Sequence, residues 1–111
     1  MAESLERTGQ LREYELQPGS LDRFVSFWSE NLVPVREEFG FRVEWYLPDP
    51  EGSSFTWFVS APGDVDAFRA REVEYNGSPQ RAAVFERLDA DPVERVRSRI
   101  VVPHTETDGP R

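Results

Sequence analysis

The feature that most restricts the fold of this chain is a short connection near its middle, residues 48–54 (PDPEGSS). It separates two strand-like runs, Phe41–Leu47 and Phe55–Ser60, which are rich in aromatic and β-branched residues. Seven residues suffice for a wide hairpin loop, but a parallel pair of strands needs a longer crossover, usually a helix. The two strands should therefore pair antiparallel, which excludes a doubly wound parallel sheet.

The half before this hairpin reads as a strand followed by a helix. The strand is Leu11–Leu16, Pro18-Gly19 ends it, and Ser20 can cap the helix. Pro34 lies inside the helical pattern and cannot donate to the carbonyl of Glu30, so we expect a kink or a restart there. We expect the helix to end at Gly40, because glycine readily adopts the left-handed conformation found at helix ends. Residues three or four positions apart form one apolar stripe: Leu21, Phe24, Trp28, Leu32, Val35 and Phe39.

The half after the hairpin reads as a helix in pieces followed by a strand. Asp64 is the expected cap of a helix that ends at Gly77, with Val65, Phe68, Glu72 and Tyr75 on one face. Ser78-Pro79 predicts a second short helix. The segment 91–94 (DPVE) resembles a capping box and predicts one more helical turn. The last strand is expected at Arg97–Val102.

This order predicts an α+β fold, the ferredoxin-like βαββαβ sandwich, with a four-stranded antiparallel sheet and helices on one face. At 111 residues the chain has the length of one domain. We expect that domain at residues 11–102, between a flexible N-terminal segment, 1–10, and a flexible C-terminal tail, 103–111.

The composition excludes several functions. Thirteen basic and 21 acidic residues give a net charge of −8, which disfavours binding to nucleic acid. Cysteine is absent, and the single histidine, His104, lies in the polar tail, so the sequence predicts neither a metal site nor a resident cofactor. An apolar run long enough to span a membrane is missing too. We expect a soluble, cytoplasmic protein.

The alternation of the strands predicts a mixed second face on the sheet. If the plainly apolar sets, with Trp45 and Leu47 among them, face the helices, the other face carries aromatic, aliphatic and arginine side chains. Such a face could pack against a second copy and enclose a polar cavity. In the first strand the opposite set is Leu11, Glu13 and Glu15, and a one-residue bulge would reverse the assignment. The predicted second face comprises Arg12, Tyr14, Leu16, Arg42, Glu44, Tyr46, Thr56, Phe58, Arg97, Arg99 and Val101.

An ordered set of short segments resembles the NIPSNAP-like family, small proteins of the dimeric α/β-barrel superfamily. The resemblance rests on Leu11-Arg12-x-Tyr14 before Pro18-Gly19, on Phe24 and Trp28, and on the segments 34–43 (PVREEFGFRV), 55–57 (FTW), Tyr75 and 78–81 (SPQR). It implies a ferredoxin-like subunit that forms a homodimer through its sheet. The superfamily includes cofactor-free monooxygenases, haem-using enzymes, isomerase-like and dehalogenating enzymes, so the likeness does not choose a reaction.

The candidate ligand-binding residues are arginines and tyrosines: Arg12, Tyr14, Arg42, Tyr46, Tyr75, Arg81 and Arg99. Guanidinium groups present paired donors to a carboxylate or phosphate, and tyrosines can donate to a substrate oxygen. We therefore expect a small anionic or oxygen-rich organic ligand. An enzyme of this kind would be a cofactor-independent monooxygenase or isomerase-like, with Arg12 or Arg42 stabilising negative charge on oxygen and Tyr14 or Tyr46 moving a proton.

The alternative interpretation of these residues is structural. The arginines would pair with Glu44, Glu13 or acidic residues of a second copy, and the protein would be a non-catalytic dimeric interaction protein. Trp28, Trp45 and Trp57 are expected in the core.

Overall fold

A computed structural model describes residues 6–49, 51, 53–88 and 90–102, and it has the predicted ferredoxin-like layout. One four-stranded sheet has the order β2-β3-β1-β4, and every neighbouring pair is antiparallel. The strands are β1 (Arg7–Leu16), β2 (Arg42–Asp49), β3 (Ser54–Pro62) and β4 (Val93–Val101). The helices are α1 (Leu21–Phe27), a π-helical segment (Trp28–Leu32), α2 (Val33–Glu38), α3 (Val65–Asn76) and α4 (Pro79–Glu86). In the described part of the chain no helix is long and apolar enough to cross a membrane.

Pro34 produces the predicted restart of the first helix. The α-helical pattern widens into the π-helical segment at Trp28–Leu32 and resumes at Val33, so Pro34 lies in the first turn of α2. The helical backbone is continuous at this point, because the amide of Val33 donates to the carbonyl of Trp28. Pro34 therefore removes one backbone donor where the helix changes from the π to the α type.

The first and last strands of the chain begin earlier than predicted. β1 begins at Arg7 rather than Leu11, and β4 begins at Val93 rather than Arg97. The helical turn predicted at 91–94 is therefore wrong. The carboxylate of Asp91 accepts a hydrogen bond from the Val93 amide at 3.0 Å, and Gln17 donates to the carbonyl of Pro92 at 2.9 Å. These bonds hold the segment extended beside the end of β1. The predicted tail, 103–111, and His104 in it lie outside the described residues.

The core lies between the sheet and the helices and is mainly aromatic. Trp28 and Trp57 are each 1% exposed, and their ring centroids lie 5.0 Å apart. Phe55 packs edge-on against Trp28 at 4.8 Å and against Phe24 at 5.9 Å. The core positions of two of the three tryptophans are thus confirmed, but Trp45 is 43% exposed.

The predicted facing of β1 is wrong, although Arg12 and Tyr14 do share a side. That side faces the helices: the ring of Tyr14 lies 5.9 Å from Phe24 and 6.0 Å from Trp57. Glu13 and Glu15 take the opposite, open face, where they lie across from Arg97 and Arg95 of β4. Burial of two carboxylates against the helices would cost far more than burial of a tyrosine and a leucine.

A β-bulge in β2 overturns a second part of the assignment. The register shifts between Val43 and Trp45, so Trp45 lies opposite Phe58 and Tyr46 lies opposite Trp57. Trp45 stacks on Phe58 at 5.6 Å on the open face, and Leu47 follows it there. Tyr46 turns instead toward the helices and contacts Trp28 at 5.1 Å.

Candidate functional site

Four of the seven predicted ligand-binding residues line one small cavity between the sheet and the helices. We call it the arginine cavity; its volume is about 40 Å³. Arg12, Tyr14, Tyr75 and Arg81 are the predicted residues that reach it. The complete lining is Arg12, Tyr14, Trp28, Leu32, Arg36, Trp57, Tyr75, Asn76, Arg81 and Phe85.

β1 holds Arg12 along its helix-facing side. The guanidinium group donates to the side-chain oxygen of Gln10 at 2.7 Å and to the hydroxyl of Tyr14 at 3.2 Å. Residues two apart on a strand point the same way, so the three side chains form a row. Glu72 of α3 lies 3.8 Å from Arg12 Nη1, and both side chains are mostly buried. Arg12 is thus fixed in place by neutral partners and one carboxylate.

The end of α2 places Arg36, a residue that the sequence analysis did not single out. Gly40 adopts φ +91°, its amide donates to the carbonyl of Glu37 at 3.0 Å, and the amide of Phe41 donates to the carbonyl of Arg36 at 3.1 Å. These two bonds define a Schellman motif, in which the residue after the glycine packs back against the last helical turn. Phe41 accordingly lies under Arg36, with the guanidinium carbon 5.0 Å from the ring centroid.

Arg36 is a buried cation surrounded by rings. It is 5% exposed, and its guanidinium carbon lies 4.4 Å from the ring centroid of Tyr75 and 4.9 Å from that of Trp57. Within the described residues it has no ion-pair partner, and its Nη1 is buried without a hydrogen-bond acceptor. Burial, and secondarily the charge of Arg12, lower the pKa of Arg36. Aromatic faces offset part of this cost but accept no strong hydrogen bond.

Ser78 positions the remaining two residues at the junction of α3 and α4. Its hydroxyl donates to the carbonyl of Tyr75 at 2.8 Å and accepts from the amide of Arg81 at 3.2 Å. One buried side chain therefore ends one helix and caps the next. As a result Arg81 lies with its guanidinium carbon 5.6 Å from the ring of Tyr75 and 4.5 Å from that of Phe85.

The cavity lining contains an excess of hydrogen-bond donors. Arg36 Nη1, Trp57 Nε1 and Arg81 Nε are all buried, and among the described residues none of them has an acceptor. We call them the three cavity donors. Three guanidinium groups line the cavity and none of its described lining residues is acidic; Glu72, 3.8 Å from Arg12, lies outside the lining, so the surroundings are net positive. Buried polar groups in folded proteins are nearly always paired, and charged donors bind carboxylate-type oxygens most strongly.

The other three predicted residues lie away from the arginine cavity. Arg42 is on the open face and pairs with Glu44 at 3.0 Å. Arg99 lines a groove on that face together with Leu11. Tyr46 lines a separate groove beside the edge strand β2. For Arg42, and for Arg97 at 3.7 Å from Glu13, the structure agrees with the alternative prediction of salt bridges.

Sequence reasoning missed Arg36, Gln10, Trp57 as a donor and Glu72 as a partner of Arg12. One signal was present, because Glu72 interrupts an otherwise apolar helix face that includes Phe68 and Tyr75. A carboxylate in such a position needs a buried cation.

Comparison with known proteins supports the fold. No protein-family model and no curated protein matches the sequence. A NIPSNAP family protein of unknown function from Agrobacterium tumefaciens is similar, with a TM-score of 0.75, 13% identity and 91% of each chain covered. A NIPSNAP-like domain protein from Burkholderia xenovorans gives a TM-score of 0.76 at 15% identity, over 97% of this chain and 92% of that one. A candidate antibiotic biosynthesis monooxygenase from Nitrosomonas europaea gives 0.66 at 10% identity, over 93% and 95%.

These similarities extend over nearly the whole chain, and at such low identity they speak for the fold rather than for an activity. They agree with the resemblance drawn from the sequence segments. The chain therefore shares the ferredoxin-like fold of these NIPSNAP family structures.

Proposed function

We propose that this chain is a cytoplasmic, homodimeric protein that binds a small anionic or oxygen-rich organic molecule in the arginine cavity. The observation that carries this proposal is the set of three cavity donors, which belong to three different elements and line one space. A buried donor left without an acceptor costs about 1–3 kcal/mol. A ligand that supplies acceptor oxygens removes that cost, which favours its binding.

The chemistry available in the cavity is stabilisation of negative charge on oxygen. Arg12 and Arg36 are fixed before any ligand binds, and such prearranged donors are most effective in a site from which water is largely excluded. Cofactor-independent oxygenation and isomerisation both develop negative charge on a substrate oxygen. Tyr14 and Tyr75 are the phenols that line the cavity, so they replace the predicted pair of Tyr14 and Tyr46 as proton-moving candidates. The fold shared with a candidate monooxygenase is consistent with such a reaction.

The dimer would form through the open face of the sheet. Trp45 and Leu47 are 43% and 61% exposed, and Trp45 stacks on Phe58 there. Exposed apolar residues that lie together in this way are typical of an interaction surface. Glu13 and Glu15 lie across from Arg97 and Arg95 of β4 on the same face, so this surface carries charges of both signs, and two copies can align them in a complementary way. This surface also supports the second candidate function, a non-catalytic dimeric interaction protein.

Native mass spectrometry of protein purified gently from its own host tests both functions. We expect a dimer that carries a reproducible small organic mass, which Arg12→Met or Arg36→Met removes while the dimer persists. Arg69→Met is the matched control, because Arg69 is an exposed arginine of α3 outside the cavity. A bare dimer in every preparation would favour the interaction protein, and a monomer would refute the role of the open face.

A further inference from the structure

We infer that the ligand presents a planar carboxylate to the arginine cavity and leaves its organic remainder outside. This inference rests on the proposed function and names the chemical class of the group that is bound. It follows from the volume of the cavity, from the number of donors that need an acceptor, and from the side on which the cavity reaches solvent.

The volume sets the first limit. A cavity of about 150 Å³ holds a benzene molecule. The arginine cavity, at about 40 Å³, is roughly four times smaller and therefore accommodates a group of only a few heavy atoms. A carboxylate has three such atoms in one plane. A phosphate or sulfate group has five in a tetrahedron, and an aromatic ring has six.

The number of donors sets the second limit. Each of the three cavity donors needs one lone pair. A single carbonyl oxygen offers two lone pairs and would leave one donor without a partner, whereas the two oxygens of a carboxylate offer about four. A carboxylate is thus the smallest common group that satisfies all three. Its charge also pairs with Arg36, which has no ion-pair partner among the described residues.

The three donors approach from different elements. Arg36 comes from α2, Arg81 from α4 and Trp57 from β3. Two of them are nitrogens of different guanidinium groups, each of which can donate one charge-assisted hydrogen bond to a carboxylate oxygen, and the indole N–H adds a donor that carries no charge. Asn76 is exposed, and Arg81 and Phe85 are half-buried, so the cavity reaches solvent beside the junction of α3 and α4. The remainder of the ligand extends out of the cavity at this opening.

The indole N–H of Trp57 gives a direct readout, because the chain has only three tryptophans. We would titrate the full-length, ¹⁵N-labelled protein with sodium acetate, sodium phosphate or sodium sulfate at pH 7 and constant ionic strength. Trp57→Phe assigns the resonance. We expect acetate to shift the Trp57 indole signal in a saturable manner, and phosphate and sulfate to leave it within the range produced by sodium chloride.

Arg36→Met should lower acetate affinity at least tenfold, and Arg81→Met provides a second test if the first variant does not fold. Arg69→Met should bind acetate like the wild type. Saturable binding of phosphate or sulfate at Trp57 would overturn the carboxylate assignment and leave the proposed anion site standing. Acetate binding that survives both cavity variants would also overturn it. If no anion moves the signal and no small molecule copurifies, the proposed function fails as well.

Discussion

Replacement of Arg36 by methionine should stabilise the ligand-free protein and abolish its response to ligand. Arg36 is buried, and in the described residues no carboxylate pairs with it. Methionine is unbranched, flexible and close to arginine in length, so it can fill the same space among the rings of Phe41, Trp57 and Tyr75 without a charge.

Opposing contributions determine the size of the effect. Removal of the unpartnered charged donor Nη1 should recover about 1–3 kcal/mol. Loss of the cation–π contacts with all three rings costs about 0.5–2 kcal/mol in total. The sulfur of the new methionine can contact the same rings, and such contacts contribute about 0.3–1.5 kcal/mol, which recovers most of the loss. We therefore expect a net gain of about 1–2 kcal/mol. Replacement of buried charges by apolar residues of similar volume is often neutral or stabilising to this extent.

Urea unfolding followed by tryptophan fluorescence measures the difference, in a buffer free of carboxylates and phosphate and at one protein concentration. Arg36→Met should unfold at higher urea with an unchanged slope, and Arg69→Met should behave like the wild type. If the free energy of unfolding fell by more than about 1 kcal/mol in Arg36→Met but not in Arg69→Met, the reasoning would be refuted, because a decrease of that size is typical of a lost structural contact. Arg36 would then be a structural cation held by its rings.

Three further predictions concern Glu72, Glu44 and the open face. Glu72→Gln removes the carboxylate that competes for Arg12 and should raise acetate affinity about two- to fivefold in the Trp57 titration; weaker binding would show that Glu72 supports the site. The hydrogen bond from Ser60, and then that from Arg42, hold the pKa of Glu44 below its usual range. A carboxylate whose pKa is lower in the folded than in the unfolded protein stabilises the fold at pH values above its unfolded pKa. That stabilisation is lost as the pH falls through the folded pKa. Glu44→Gln should therefore be less stable than the wild type by at most about 1 kcal/mol at pH 7, and the difference should shrink as pH falls through the lowered pKa of Glu44; a difference in urea unfolding that is constant with pH contradicts this. Trp45→Asp should convert the proposed dimer to a monomer in light scattering at micromolar concentration, whereas Val73→Asp, on an exposed position of α3, should not; a Trp45→Asp dimer would place the interface elsewhere.

The order of elements could be predicted from the sequence because each signal is local. The hairpin loop at 48–54, the glycine at 40 and the cap at Ser78 act within a few residues of themselves. The start of β4 was missed for the opposite reason. The segment 91–94 carries a helical capping pattern, but a hydrogen bond from Gln17, far away in the chain, holds it extended.

The facing of the strands depended on information that single strands do not contain. A bulge in β2 exchanges the faces of the sheet on which Trp45 and Tyr46 lie. The neighbouring residues carry no sequence signal for the extra residue of the bulge. In β1 the deciding factor was the partner strand: Arg95 and Arg97 lie across from Glu15 and Glu13. Once it is known that β1 and β4 are neighbours, their opposite charges indicate that the glutamates of β1 lie on the same face as the arginines of β4.

The arginine cavity shows how local rules position a residue whose role only the tertiary structure reveals. Gly40 and Phe41 form the Schellman motif, and that motif places Arg36 above Phe41 whatever else is present. Ser78 independently fixes Tyr75 and Arg81 at the other side. Each device is readable in the sequence, yet neither indicates that the two meet at Trp57 and leave donors without acceptors. An apolar residue at position 36 would avoid the cost of a buried charge, and the proposed ligand, which would pair with that charge, gives the arginine a role there.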